Sequence, residues 1–181
     1  MAILIFLLLV IAFVGSIGIF YIIFYNRLMT YRSKIEQAES IIDECLRNKY
    51  DSIVKIDSLI SANLKHEKSF FADLNTIKDD NITNFDFDRK LVSYMAIVEQ
   101  LKQDYDSVNE DREIKKILSD IKAIDEKLKA AKVFYNKYTN KSNEMVRSFP
   151  SNIVAKLHNM NIKPFFDGKD MQDDIVDDFK I

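Results

Sequence analysis

From residue 19 to residue 149 the chain contains neither glycine nor proline. A sheet protein of that length would need tight turns, and turns draw heavily on those two residues. The gap therefore predicts helices, interrupted only where Asp, Asn, Ser and Thr cluster. The five exceptions sit near the ends: Gly15 and Gly18, then Pro150, Pro164 and Gly168.

The first of those helices is set by hydropathy. Ala2 to Tyr25 carries no charged residue and is mostly Leu, Ile, Phe and Val. As a helix it would reach roughly 36 Å, enough to cross a hydrocarbon core of about 30 Å. In lipid every backbone polar group needs an internal partner, which a helix supplies. A cleaved signal peptide would need a basic start, a shorter core and a small-residue cleavage site. No Lys or Arg precedes this run, and its small residues, Gly15, Ser16 and Gly18, fall in its middle. The reading is an uncleaved, single-pass anchor. Arg27, Arg32 and Lys34 follow closely, so the positive-inside rule puts the following chain in the cytoplasm and the N-terminus outside. Tyr21, Phe24, Tyr25 and Tyr31 are placed as an interfacial aromatic belt.

Charge narrows the classes further. The formal net charge is −2, and from Asp167 onward six Asp face two Lys. The rest is nearly balanced, which gives no electrostatic footprint for nucleic acid. The single cysteine, Cys45, excludes an internal disulfide framework.

Beyond the anchor, apolar residues recur at three-and-four spacing. The first segment, from Asn26 to about Lys78, carries Leu28, Tyr31, Ile35, Ala38, Ile42 and Cys45. The seam then shifts by one residue to Leu46, Tyr50, Ile53, Asp57, Ile60, Leu64, Glu67, Phe71 and Leu74. Such a shift resembles a stutter, which rotates the seam without breaking the helix. A loop is expected over residues 79–84, with Asp86 or Asp88 capping the next helix. That helix carries Leu91, Tyr94, Val98, Leu101, Tyr105 and Val108. A turn is expected over Ser107–Asp111, with Asn109 as cap. The last long helix has the most regular seam, Ile114, Ile117, Ile121, Ile124, Leu128, Ala131, Tyr135, Tyr138, Ser142, Met145 and Phe149. Short connections favour antiparallel neighbours, which predicts an up-down-up bundle. A short fourth helix would open at Ser151, with that residue as its cap, and end before Pro164.

These residues also resemble a known family. Tyr25-Asn26, Leu28 and Arg32 follow the anchor as in the LemA family of bacterial membrane-anchored helical proteins. Ala38, Ser40, Ile42, Asp43, Leu46, Asp51 and Ile53 match its next segment. His66-Glu67, Val98-Glu99, Tyr135-Asn136, Phe149-Pro150-Ser151-Asn152 and Phe165-Phe166 follow in the family's order. Val54 stands where the family usually has proline, and its second Tyr-Asn is Ser142-Asn143 here. The resemblance implies an all-helical, single-pass protein of the bacterial inner membrane. The family has no settled enzymatic activity, so the resemblance supplies no mechanism.

The candidate sites each have a structural reading. His66-Glu67 lacks the second histidine of a zinc-protease helix, since Phe70 fills that position; an interhelical hydrogen bond is the expected role. Tyr135-Asn136 and Ser142-Asn143 are one heptad apart, and the amides Asn136 and Asn143 are expected to bond across the bundle and fix register. At Phe149-Pro150-Ser151-Asn152, Phe149 would pack on the bundle beneath the Ser151 cap. Asp43 and Arg47 are spaced as an i,i+4 pair. Ile175, Val176 and Phe179, set among the tail's aspartates, have the composition of a docking peptide.

The expectation is an all-α protein: a transmembrane helix (2–25) continuing into an antiparallel three-to-four-helix LemA-like bundle (26–166), then an acidic, disordered tail (167–181). Its function would be that of a non-enzymatic adaptor or scaffold with no cofactor and no metal, presenting a bundle face to a protein partner at the inner membrane. Self-association into a structure that shapes a membrane patch is the alternative, with Ala12 and Ser16 as a small-xxx-small pair.

Overall fold

The structure is a computed structural model that describes residues 1–64, 71 and 82–166. Among these residues it is all-α. Five helices follow in order: α1 (Ala2–Asn63), α2 (Asn84–Asp104), α3 (Asp106–Glu110), α4 (Arg112–Arg147) and α5 (Ser151–Leu157). They form two compact units. The first comprises Met1–Gln37 with Phe134–Ile181, and the second comprises Ala38–Val133.

In the second unit the buried face of α1 is Ala38, Ile42, Cys45, Leu46, Lys49, Tyr50, Ile53, Ile56 and Ile60. The burial of Cys45 and Leu46 side by side is the expected one-residue shift of the seam. After it the seam runs through Ile56, and Asp57 is only half-buried, so the expected seam at Asp57 is corrected by one position. The doubled pairs at 45/46 and 49/50 widen the apolar stripe, as a helix touching two neighbours requires. Burial pushes the Cys45 thiol above its usual range, which leaves it less reactive. Leu91, Val98 and Leu101 of α2 and Ile114, Leu118, Ile121, Leu128 and Ala131 of α4 complete this core.

Polar contacts fix helix direction. Lys49 Nζ donates to Asp125 Oδ1 at 2.6 Å, Lys127 Nζ to Glu44 Oε1 at 2.9 Å, and Asn63 Nδ2 to Asp111 Oδ2 at 2.9 Å. Residue numbers rise on α1 as they fall on α4, so the two are antiparallel. Helix α2 is joined to the start of α4 through α3, and Lys132, well past the middle of α4, reaches Asp88 near the start of α2 at 2.6 Å. It too is antiparallel to α4. Helices α1 and α2 therefore run in the same direction, and Tyr50 meets Phe87 with ring centroids 6.0 Å apart. This replaces the expected up-down-up order. The sequence period marks which residues face inward, but not how a chain returns between two helices.

The caps also differ from expectation. Thr83, not Asp86 or Asp88, caps α2: its hydroxyl accepts the Asp86 N–H at 3.2 Å and donates to the Asp86 carboxylate at 2.7 Å. Tyr105 is the extended residue that separates α2 from α3. Asp111, not Asn109, caps α4, with Oδ1 accepting Glu113 N–H at 2.8 Å and Ile114 N–H at 3.0 Å. Both residue types rank high as caps. Asp111 has a second oxygen that also engages Asn63 of α1, so one side chain caps a helix and ties two together.

The hydrogen bond from Asn63, helped by the backbone N–H groups of Ile114 and Glu113, holds the Asp111 carboxyl below its ordinary range against a small opposing effect of burial. A depressed folded-state pKa stabilises the fold above the unfolded value and ceases to do so as pH falls through the folded one. Asp111→Ala is expected to cost about 1 kcal/mol at neutral pH. In paired thermal melts that cost should shrink as pH drops below about 4. A cost independent of pH would remove the carboxylate from this role.

In the first unit the apolar start of α1 is exposed on every side, and the same helix then contributes Leu28 and Ile35 to the core. Leu28 packs with Val154 and Ala155 of α5, bordered by Phe24, Tyr25, Met145, Val146 and Met160. Helix α5 ends in a Schellman motif: Met160 N–H bonds to Ala155 C=O, Asn159 N–H to Lys156 C=O, and Asn159 adopts φ 51°. Asn tolerates this left-handed conformation better than most residues, which ends the helix without glycine.

Candidate functional site

Most of the predicted site residues that the structure describes converge on the end of α4 and the chain after α5. Asn143 is fully buried. Its Nδ2 donates to Lys163 C=O at 2.7 Å and its Oδ1 accepts Lys163 N–H at 2.9 Å. One turn-pair earlier, Asn136 Oδ1 accepts Phe166 N–H at 2.8 Å. Between them Tyr135 Oη donates to Pro164 C=O at 3.2 Å, and its ring meets Phe166 edge-on at 6.4 Å. The two amides do not bond helix to helix, as the sequence suggested. They clamp an irregular strap, residues 163–166, against α4. An amide suits this task because its donor and acceptor reproduce the pattern of a backbone peptide, so it can satisfy both polar groups of one strap residue.

The junction departs from expectation at two residues. Ser151 is the first residue of α5 and does not cap it. Its buried hydroxyl lies within reach of Met145 C=O at 2.7 Å and Ser148 C=O at 2.9 Å, closing the last turn of α4. Pro150 occupies the cap position without a side-chain hydrogen bond. Phe149 does not pack on the bundle; it is 81% exposed. Asn152 is half-buried, and its Oδ1 is shielded with no hydrogen-bond partner among the described residues. Asp43 and Arg47 form the expected i,i+4 pair at 2.9 Å. His66 and Glu67, and Ile175, Val176 and Phe179 of the tail, lie outside the described residues.

Two groupings were not foreseen. Tyr138 stacks obliquely on Phe134 and Tyr31, with centroids 4.6 and 5.9 Å away, and receives a 3.0 Å hydrogen bond from Lys34 Nζ. Lys34, Lys137 and Lys141 lie 4.5, 5.9 and 5.7 Å from its ring centroid. The Lys34 hydrogen bond, with the charge of all three lysines, lowers the Tyr138 pKa despite some desolvation. The second grouping is His158 with two tyrosines of the apolar run. Tyr21 Oη and His158 Nε2 are 2.7 Å apart, and the Tyr25 ring centroid is 4.7 Å from the imidazole. Tyr31 and Tyr138 were legible as seam residues, but a period carries no information on which lysines flank a seam. His158 follows α5 in an irregular segment with no period to mark it.

No group of three His, Cys, Asp or Glu among the described residues is placed to hold a metal ion. The arrangement is one of positioning: two amides, a phenol and a serine hydroxyl secure α5 and the strap to α4. The LemA family model matches residues 38–177, well over half of the chain. No curated protein and no solved structure gives a significant match. The match runs from the first buried residue of α1 in the second unit through α4, α5 and the clamped strap, and on that ground the chain belongs to the LemA family.

Proposed function

We propose that this protein is a membrane-anchored helical adaptor that presents its bundle to a protein partner at the bacterial inner membrane. The observation that carries the reading is the character of α1. Up to Phe20 it is apolar all round and exposed on every side, and a helix of that kind calls for lipid as its surroundings. The same helix then enters a protein core at Leu28 and Ile35. A bundle built on its own anchor is held at the membrane surface, where only partners of that surface can meet it.

Orientation follows from charge. Arg32 pairs with Glu36 at 2.8 Å and Lys34 bonds Tyr138, but the positive-inside rule counts Lys and Arg and not net charge. These residues favour a cytoplasmic bundle with the N-terminus outside. The role is one of binding and not of catalysis: Asn136, Asn143 and Ser151 are engaged in internal hydrogen bonds, so recognition falls to exposed helix faces and to the acidic tail.

The test is lysine crosslinking in spheroplasts, with a membrane-permeant and an impermeant reagent, on the intact chain and on one truncated after Phe166. The adaptor reading expects a heterologous adduct with the permeant reagent only, weakened by truncation. Adducts formed solely between copies of this chain would favour the self-assembling alternative. A bundle adduct formed by the impermeant reagent would overturn the cytoplasmic orientation.

A further inference from the structure

Helix α5 buries one side and leaves the other bare. Val154 and Ala155 face Leu28, whereas Ile153 and Leu157, four residues apart and therefore on one face, are 52% and 67% exposed. Phe149, just before the helix, is more exposed still, and Ile162 after it is also exposed. Isolated exposed apolar residues need no explanation, but a cluster on one short element does.

Its position supplies one. Val154 and Ala155 pack at Leu28, three residues, or about 4.5 Å of helix, beyond the end of the apolar run. His158 reaches further back, to Tyr25 and to Tyr21 inside that run. The last turn of α5 thus lies beside the final turns of the anchor. Charge agrees with the location. Between Glu144 and Asp167 there is no acidic residue, while Arg147, Lys156 and Lys163 are basic, in a chain whose acids otherwise outnumber its bases. Arg147 and Lys156 are exposed. A bare apolar face flanked by basic side chains and free of acids is the pattern of an element lying in the boundary between headgroups and acyl chains of an anionic leaflet. The Tyr21–His158 hydrogen bond satisfies two polar groups that would otherwise be costly at that depth.

We infer that α5 and its flanks are a second membrane contact, with Phe149, Ile153 and Leu157 inserted into the leaflet from which α1 emerges. This rests on the anchor reading given above. Two contacts with one bilayer, a spanning helix and an interfacial one packed against it, fix how this unit meets the membrane, which a single spanning helix leaves free to swivel. The clamp on residues 163–166 then has a purpose: it holds the chain after α5 on α4, so α5 is secured from both ends.

The chain contains no tryptophan, so single-tryptophan variants of the full protein give unambiguous fluorescence. Leu157→Trp, Ile153→Trp, Phe13→Trp in the anchor and Lys137→Trp on exposed α4 of the same unit would be reconstituted into vesicles of phosphatidylcholine and phosphatidylglycerol, with and without acyl-chain bromine. Leu157→Trp and Ile153→Trp are expected to emit to the blue of Lys137→Trp and to lose emission to bromolipid as Phe13→Trp does, while Lys137→Trp loses none. Quenching of Phe13→Trp with neither α5 variant quenched would overturn the contact and leave the anchor standing, as a face covered by a second copy or by another protein would give. An unquenched Phe13→Trp would overturn the anchor and this contact with it.

Discussion

Ile121→Asp is expected to unfold the second unit, with a loss of about 4 kcal/mol or more. Ile121 is 1% exposed at the middle of the α4 seam. The substitution removes the transfer free energy of an isoleucine side chain, leaves space its neighbours fill only in part, and buries a carboxylate. Lys49, whose partner Asp125 lies one helical turn from Ile121, is already held in that pair, so the new charge cannot gain this cation without breaking it. Lys122→Asp, one residue away on the exposed face, should stay within about 0.5 kcal/mol of the parent. Thermal melts of the full chain followed by circular dichroism would read both. An Ile121→Asp protein that melted with the parent would refute the α4 seam.

The contrast between those neighbours is what the sequence conveyed best. Three-and-four spacing identified Leu91, Val98, Ile114, Ile121 and Leu128 as inward-facing because burial against another helix leaves a periodic trace. Lys49 left none. A lysine at a seam reads as an interruption, yet its side chain is 5% exposed because the apolar stem lies in the core and only the ammonium meets Asp125. Caps were legible as a type but not as a position: Thr83 and Asp111 stand within a few residues of Asp86 and Asn109, and tertiary contact chose among them. The direction of α2 was illegible for a deeper reason. Helical periodicity is the same for a helix read in either direction, and only a pair such as Lys132–Asp88, 44 residues apart in sequence, records it.

The clamp had the same standing, since Asn136 and Asn143 announced themselves as seam-adjacent amides without disclosing a partner. Its dissection gives the second large effect. Asn143→Leu keeps the shape of the side chain and removes both hydrogen bonds to Lys163, leaving that residue's N–H and C=O to find water. A loss of about 2 kcal/mol is expected, read as roughly 30-fold faster hydrogen exchange at the Lys163 and Phe166 amides. Asn136→Ala removes one bond, that from Phe166 N–H, and should cost about 1 kcal/mol. Because both hold one strap, a strap already released by Asn143→Leu has little left for Asn136 to lose, and the double variant should fall short of the sum. Asn143→Asp separates geometry from chemistry. Its carboxylate can still accept from Lys163 N–H, but at neutral pH it presents an oxygen where the amide donated, 2.7 Å from a carbonyl oxygen. It should therefore be worse than Asn143→Leu at neutral pH and recover progressively as pH falls toward about 4, since burial and the facing carbonyl raise the pKa of the new acid and its protonated form can donate. Additive losses, or an Asp variant indifferent to pH, would mean that the amides act separately and that residues 163–166 are held by something other than the clamp.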